Sequence, residues 1–222
     1  MLMVRHGETP WNLEGRIQGH TDVPLSEKGR AQAALLARRI ARLQVHAAYA
    51  SDLTRTMHTA ESVLAGREVA PSPVPELREF SYGRWEGMTH WEVEREDPAA
   101  YADMMTRRPD FVPPGGESLH QVRARVCGFA SGLRDAMFSG DPGGFRGHSL
   151  AGPRGGGGSV VLVVGHGGSL RALLVCLLGL PVSVVWSLWL DTASLTIVDL
   201  YPDNAVMKLF NDTSHLRGDE GP

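Results

Sequence analysis

Two kinds of apolar pattern run along the chain, and each predicts its own kind of element. Met1 to Val4 and Val160 to Val164 are continuous apolar runs without alternation, the mark of short strands buried on both faces of a sheet. His46 to Ala50 is a further short strand. Elsewhere the apolar positions recur at three- and four-residue steps. Ala33, Leu36, Ile40 and Leu43 give an amphipathic helix over Ser26 to Leu43 with Ser26 as its N-cap. Helices also follow over Leu53 to Leu64 and, buried, over Leu170 to Leu178. The clearest stripe joins Leu119, Val122, Val126, Phe129, Leu133 and Met137 in a helix over Glu117 to Met137. Leu195 to Leu200 and Ala205 to Phe210 flank Pro202-Asp203-Asn204 and predict a hairpin. Pro71, Pro73 and Pro75 hold the chain extended towards Leu77.

Strands alternating with helices predict an α/β fold: a three-layer sandwich with a mostly parallel central sheet flanked by helices. The length suits one domain over residues 1–222, from which two segments depart. Tyr82 to Pro114 (82–114) is rich in Trp, Glu, Arg and Pro, with one short helix around Trp91, and behaves as a cap or lid excursion. Residues 139–159 are dominated by glycine, with Pro142 and Pro153 among them, and read as a Gly-rich loop. No lysine follows Gly157-Gly158 in a P-loop pattern, so no role is assigned to it.

Composition narrows the ligand more than the fold. A net charge of -3 leaves no basic footprint, which argues against a nucleic-acid partner. An anionic small molecule must then be held by a few local arginines. The longest apolar stretch, Leu170 to Leu190, is interrupted by Arg171, Gly179, Pro181 and Ser183, so no membrane span is expected. With no signal-peptide pattern visible, a cytoplasmic location is expected. Cys127 and Cys176, the only cysteines, stand in no metal-type or redox-type spacing and read as two reduced, partly buried thiols, with a disulfide as the alternative. His20, His58, His90, His120 and His148 lack a paired spacing or a carboxylate partner, so neither a metal site nor a cofactor is expected. The hairpin region is apolar enough to serve a homodimer.

Three predicted strands end in polar residues that a core has no use for. The first ends at Arg5-His6-Gly7-Glu8, the second at Ser51-Asp52 with Arg55 in the next helix turn, and the third at Gly165-His166-Gly167-Gly168. Ligands of open α/β sheets bind beyond the carboxyl ends of the strands, so parallel neighbours would bring Arg5, His6, Arg55 and His166 to one edge. Two guanidinium forks and two histidines suit a phosphate dianion. Each histidine precedes a glycine, which lets the backbone at Gly7 and Gly167 approach a ligand, and a helix starting near Gly168 adds its positive end. Neighbouring guanidinium groups disfavour imidazolium, leaving a histidine free to attack phosphorus. The leaving oxygen needs a proton, for which Glu79 and Glu86 are the candidates.

These residues resemble the histidine phosphatase superfamily, the group that contains the cofactor-dependent phosphoglycerate mutases. Six blocks match in order: Arg5-His6-Gly7-Glu8-Thr9 with Trp11-Asn12; Leu25 to Gln32; Ser51-Asp52-Leu53-Thr54-Arg55-Thr56; Glu79 with Gly83-Arg84-Trp85-Glu86-Gly87; Gly115-Gly116-Glu117-Ser118; and Gly165-His166-Gly167-Gly168. The resemblance implies a phosphoglycerate mutase-like fold. It also implies His6 as nucleophile, Arg5, Arg55 and His166 around the transferring group, and Glu79 as proton donor. Asn12, Gln18 and Gly19 match pocket-lining positions. The Gly83 to Gly87 block is similar to the phosphatase branch. The leading expectation is therefore metal-independent hydrolysis of a small-molecule phosphomonoester through phospho-His6. A phosphoglycerate mutase-type transferase and a non-catalytic phospho-ligand binding protein are the alternatives.

Blander readings compete at single residues. Arg55 could merely pair with Asp52 on a helix surface, Glu8 reads as a structural hydrogen-bonding group, and Glu86 could only brace the Trp85 loop. Trp85, Trp91, Trp186 and Trp189 read as packing residues, with Trp85 and Trp91 also available to line a substrate entrance.

Overall fold

The structure is a computed structural model that describes residues 1–138, 145 and 158–217. In chain order the elements are β1 (Leu2–Arg5), α1 (Pro10–Leu13), α2 (Glu27–Arg39), β2 (Ala47–Ala50), α3 (Thr54–Leu64), β3 (Ser72–Pro73), α4 (His90–Glu96), α5 (Pro98–Met105), α6 (Leu119–Phe138), β4 (Val161–Gly165), α7 (Gly167–Leu177), β5 (Leu195–Leu200) and β6 (Ala205–Asp212). Six strands form one sheet in the order β3-β2-β4-β1-β5-β6. The first four run parallel, while β5 and β6 are antiparallel and form the predicted hairpin.

Side chains of a strand alternate between its two faces, and here both faces are buried. Met3, Tyr49, Val161 and Val163 join one apolar cluster with the α6 and α7 residues Val122, Val126, Leu173 and Leu174. Leu2, Val4, Leu162 and Val164 join the other, against Leu36 and Ile40 and the α3 residues Ala60 and Val63. Helices therefore cover both faces, and the three-layer, mostly parallel sandwich follows. Each fully buried Leu or Val contributes about 1.5–3 kcal/mol relative to exposure.

Several boundaries move for local reasons. Helix α2 keeps Ser26 as N-cap, its side chain accepting from Gly29 N, but ends at Arg39, because Ile40 leaves helical geometry while staying buried. Helix α6 begins at Leu119 and not at Glu117: Ser118 Oγ accepts from Gln121 N, and Gln121 Oε1 accepts from Ser118 N, a reciprocal cap. Helix α7 begins at Gly167, ahead of the apolar residues that marked it. Cys127 of α6 and Cys176 of α7 are joined as a disulfide with Cα atoms 5.8 Å apart, which corrects the reading of two free thiols. Their 49-residue separation carried no sign that the two helices pack side by side.

The 82–114 excursion holds α4 and α5 over a small cluster of its own. Ile17, Trp85 and Val93 are buried there, with Met88, Tyr101, Met104 and Phe111 against them, and Trp85 stacks on Phe111 at 5.9 Å. Trp85 thus packs as expected, whereas Trp91 and Trp189 are exposed. Of the Gly-rich segment 139–159, only Phe145, Gly158 and Ser159 fall within the described residues; His148 lies outside them. Among the described residues no helix is long and apolar enough to cross a membrane.

Candidate active site

Because β2, β4 and β1 are adjacent and parallel, their carboxyl ends deliver Ser51, Gly165-His166 and Arg5-His6 side by side. The turn after β1 is fixed by its neighbours. His6 N donates to Gly165 O, and Gly7 N donates to Thr59 Oγ1. A side chain at Gly7 would run into the backbone of Gly29 in the first turn of α2, so this crossing admits only glycine. Thr9 and Asn12 cap α1 reciprocally, which sets Asn12 over the turn. Glu8 accepts from Ser26 Oγ and Lys28 Nζ, a structural role as read from the sequence.

Both histidines are buried beside each other, their ring centroids 5.1 Å apart and edge to face. His6 Nδ1 lies 2.7 Å from Gly7 O. A carbonyl can only accept, so Nδ1 carries the proton and Nε2 keeps its lone pair. Burial first, then the Arg55 and Arg5 charges, push the His6 pKa well below the ordinary imidazole value. His166 is lowered in the same way, by burial first and then by Arg55. Its Nδ1 accepts from Arg55 Nε at 3.2 Å, and its Nε2 donates to Ser51 Oγ at 2.9 Å.

Arg55 is fully buried in the first turn of α3, and it does not pair with Asp52, which is bound by Arg78. Its terminal nitrogens donate to Thr21 O at 2.8 Å and Gly19 O at 2.7 Å. Burial lowers it to about 10, with Glu79 pulling the other way. Arg5 donates to Leu190 O, and its buried Nε has no partner among the described residues. Neither arginine forms an ion pair there. Two cations outside any direct ion pair among the described residues are costly to bury even with the Glu79 charge near both, and a bound anion would offset that cost.

Glu79 caps the start of α7. Its carboxylate accepts from Gly168 N at 2.9 Å and Ser169 N at 3.0 Å, and also from Phe80 N. Arg125 of α6 fixes the same segment by donating to the carbonyls of Glu76, Arg78 and Glu79. His20, which the sequence left without a carboxylate partner, donates to Glu79 O and lies 3.6 Å from Glu117. Burial raises the Glu117 carboxyl, but hydrogen bonds from His20, Arg125 and Ser81 N–H outweigh it and hold it at about 2. Glu86 accepts from His20 N, Thr21 N, Thr21 Oγ1 and Tyr82 N, so it braces the loop.

Arg5, His6, Arg55, Glu79 and His166 line one cleft of about 160 Å³, together with Asn12, Gln18 and Gly19. Gly167 lies beneath Arg5 and does not itself line the cleft. Sequence reasoning missed Arg16, Ile17, Tyr82 and His90 in its wall. Tyr82 directly follows the Glu79 segment, but nothing in its local pattern separates it from a packing residue. Among the described residues no cluster of His, Cys, Asp and Glu is arranged to hold a metal ion.

The family model for the histidine phosphatase superfamily (branch 1) matches residues 1–141 and 147–213. The adenosylcobalamin/alpha-ribazole phosphatase of Salmonella typhimurium is 33% identical over 217 residues, covering 98% of each chain. Phosphoserine phosphatase 1 of Hydrogenobacter thermophilus is 31% identical over 216 residues, 97% of this chain and 93% of its own. Among solved structures, a mycobacterial glucosyl-3-phosphoglycerate phosphatase in complex with VO3 superposes with a TM-score of 0.79. It is 30% identical, and the match covers 96% of this chain and 98% of that one. With a family model that spans nearly the whole described fold and relatives aligned end to end, the chain belongs to the histidine phosphatase superfamily.

Proposed function

We propose that the protein hydrolyses small-molecule phosphomonoesters through a phosphohistidine on His6. The observation that carries this reading is an unprotonated His6 Nε2 in one cleft with the Arg5 and Arg55 guanidinium groups, which form no ion pair among the described residues. Arg5 and Arg55 hold the phosphoryl oxygens, and His166, edge-on to His6, completes the wall. Asn12, Gln18 and Gly19 shape the pocket around the transferring group, with Gly167 packed beneath Arg5.

His6 Nε2 attacks phosphorus, forming the N–P bond as the P–O bond to the alcohol breaks. The leaving oxygen takes its proton from the Glu79 carboxyl. Water then attacks the phosphohistidine with Glu79 accepting a proton, the N–P bond breaks, and phosphate departs with His6 restored. The Nδ1–H bond to Gly7 O keeps the ring aimed through both steps. No step requires a metal. Phosphorylated small molecules are its substrates.

Turnover of a generic phosphomonoester in excess chelator is the test. His6→Ala lowers kcat/KM by about 10⁴-fold or more, as loss of a covalent nucleophile does in other enzymes. Turnover that survives His6→Ala and fails with chelator would overturn the proposal. Comparing released phosphate with isomerised phosphoglycerate in the same assay separates hydrolysis from mutase-type transfer.

A further inference from the structure

A second cleft of about 320 Å³ opens beside the first, and Tyr82 and His90 line both. Its lining is of another chemical kind. Phe80, Met104, Met105, Phe111, Trp186 and Trp189 supply rings and thioethers from three parts of the chain. The volume lies at the lower end of small-molecule sites, which are mostly apolar and concave. Two of its side chains show large apolar surfaces to water, Met105 at 53% and Trp189 at 65% exposure.

Two of the charged groups around it are paired within the protein, while Arg171 is held by carbonyls. Arg108 is paired with Asp103 at 3.1 Å, and Glu117 with Arg125 at 3.0 Å. Arg171 donates to Gly167 O and Leu188 O, with its guanidinium carbon 5.8 Å from the Trp186 ring centroid. That residue belongs to α7, the helix whose first turn holds Glu79, so the aromatic wall and the phosphate site share one rigid element. Arg107, at the exposed rim, takes a left-handed backbone with φ of 58°. Rings and thioethers make up the apolar part of the lining, and the Arg107 and Arg171 guanidinium groups beside them also stack on flat rings, which favours a flat ring as the occupant.

We propose that this second cleft seats the alcohol half of the substrate, and that the preferred substrates are phosphomonoesters of alcohols carrying a flat apolar ring. The proposal rests on the phosphomonoesterase reading of the first cleft. Because Tyr82 and His90 line both clefts, a phosphate held at Arg5 and Arg55 has the second cleft directly beside it.

The test compares propyl phosphate with 3-phenylpropyl phosphate on the full chain. Both release a primary alkoxide of similar basicity, so their ratio reads the ring and not the chemistry. The ring ester is expected to have a kcat/KM about ten- to a hundredfold higher, mainly through KM, the range set by burying one aromatic side group. Trp189→Ala and Met105→Ser, each at an exposed position that tolerates change, are expected to lower that ratio by about three- to tenfold. Trp91→Ala removes an exposed aromatic that lines neither cleft, and leaves the ratio as it was. A ratio near one, a higher kcat/KM for phosphoserine, or a ratio indifferent to both cleft variants overturns the proposal. If no ester is turned over, the hydrolase reading fails by itself. Calorimetric binding of the same two esters then decides the cleft, equal affinities overturning it and tighter binding of the ring ester supporting it.

Discussion

His6 and His166 are neutral because the fold makes their charged forms expensive, and that has a consequence for stability. Both pKa values are pushed down by burial first and by the Arg55 charge second. In the unfolded chain the same imidazoles titrate near 6.5. Below that pH the unfolded chain binds protons that the folded one refuses, so stability falls as pH drops and is flat above it. Each histidine contributes a slope of up to about 1.4 kcal/mol per pH unit. His215, half-buried and also lowered, adds to it. Thermal melts between about pH 8 and pH 5 are therefore expected to show a constant Tm, then a decline beginning near the ordinary imidazole value. His6→Asn should make that decline shallower. A Tm that rises on acidification over this range would show that the histidines are not held neutral.

At the level of elements, Glu79 is held by two helices that are also joined covalently. Helix α7 binds its carboxylate through Gly168 N and Ser169 N, and α6 binds its carbonyl through Arg125. The Cys127–Cys176 disulfide ties these helices across a loop of 49 residues. Closing a loop of that size stabilises by about 2–4 kcal/mol, chiefly through the unfolded state. Reduction should therefore lower Tm by about 5–10 °C for a chain of this length. Cys127→Ser with Cys176→Ser should melt at the reduced value with or without reductant. Equal melting of oxidised and reduced wild type would mean that the link carries no stability. Nothing in the sequence announced this bond, because cysteine spacing records no distance between helices. The α6 stripe from Leu119 to Leu133 was legible, since one face of a long helix repeats its signal five times. The ends of α2 and α6 were not, because Ile40 stays buried after the helix stops and Glu117 is occupied by Arg125 and Ser81.

Across the whole molecule, the polar ends of buried apolar runs were the readable part of the site. Arg5-His6, Ser51 and His166 had to meet once β1, β2 and β4 were parallel neighbours, whereas Tyr82 and His90 reach the cleft only through the packing of the 82–114 excursion, which has no periodicity to read. The strand ends and the start of α3 thus bring Arg5 and Arg55 together outside any ion pair among the described residues, and an anion should repay the whole fold for that arrangement. A ligand that binds only the folded state stabilises it by about 2.7 kcal/mol at a hundred times its dissociation constant. Inorganic phosphate at that level should therefore raise Tm by about 5–10 °C. Phosphate also stabilises proteins generally by exclusion from their surfaces, so the control must share that effect. Arg5→Met supplies it: Arg5 loses one bond to Leu190 O and a buried, unpartnered Nε, and an unbranched apolar chain takes up the space. The variant should keep the small general rise and lose the saturable part, measured at matched ionic strength. Identical phosphate dependence in both proteins would place the anion somewhere other than between Arg5 and Arg55, and the pocket would then have to be sought elsewhere on the sheet edge.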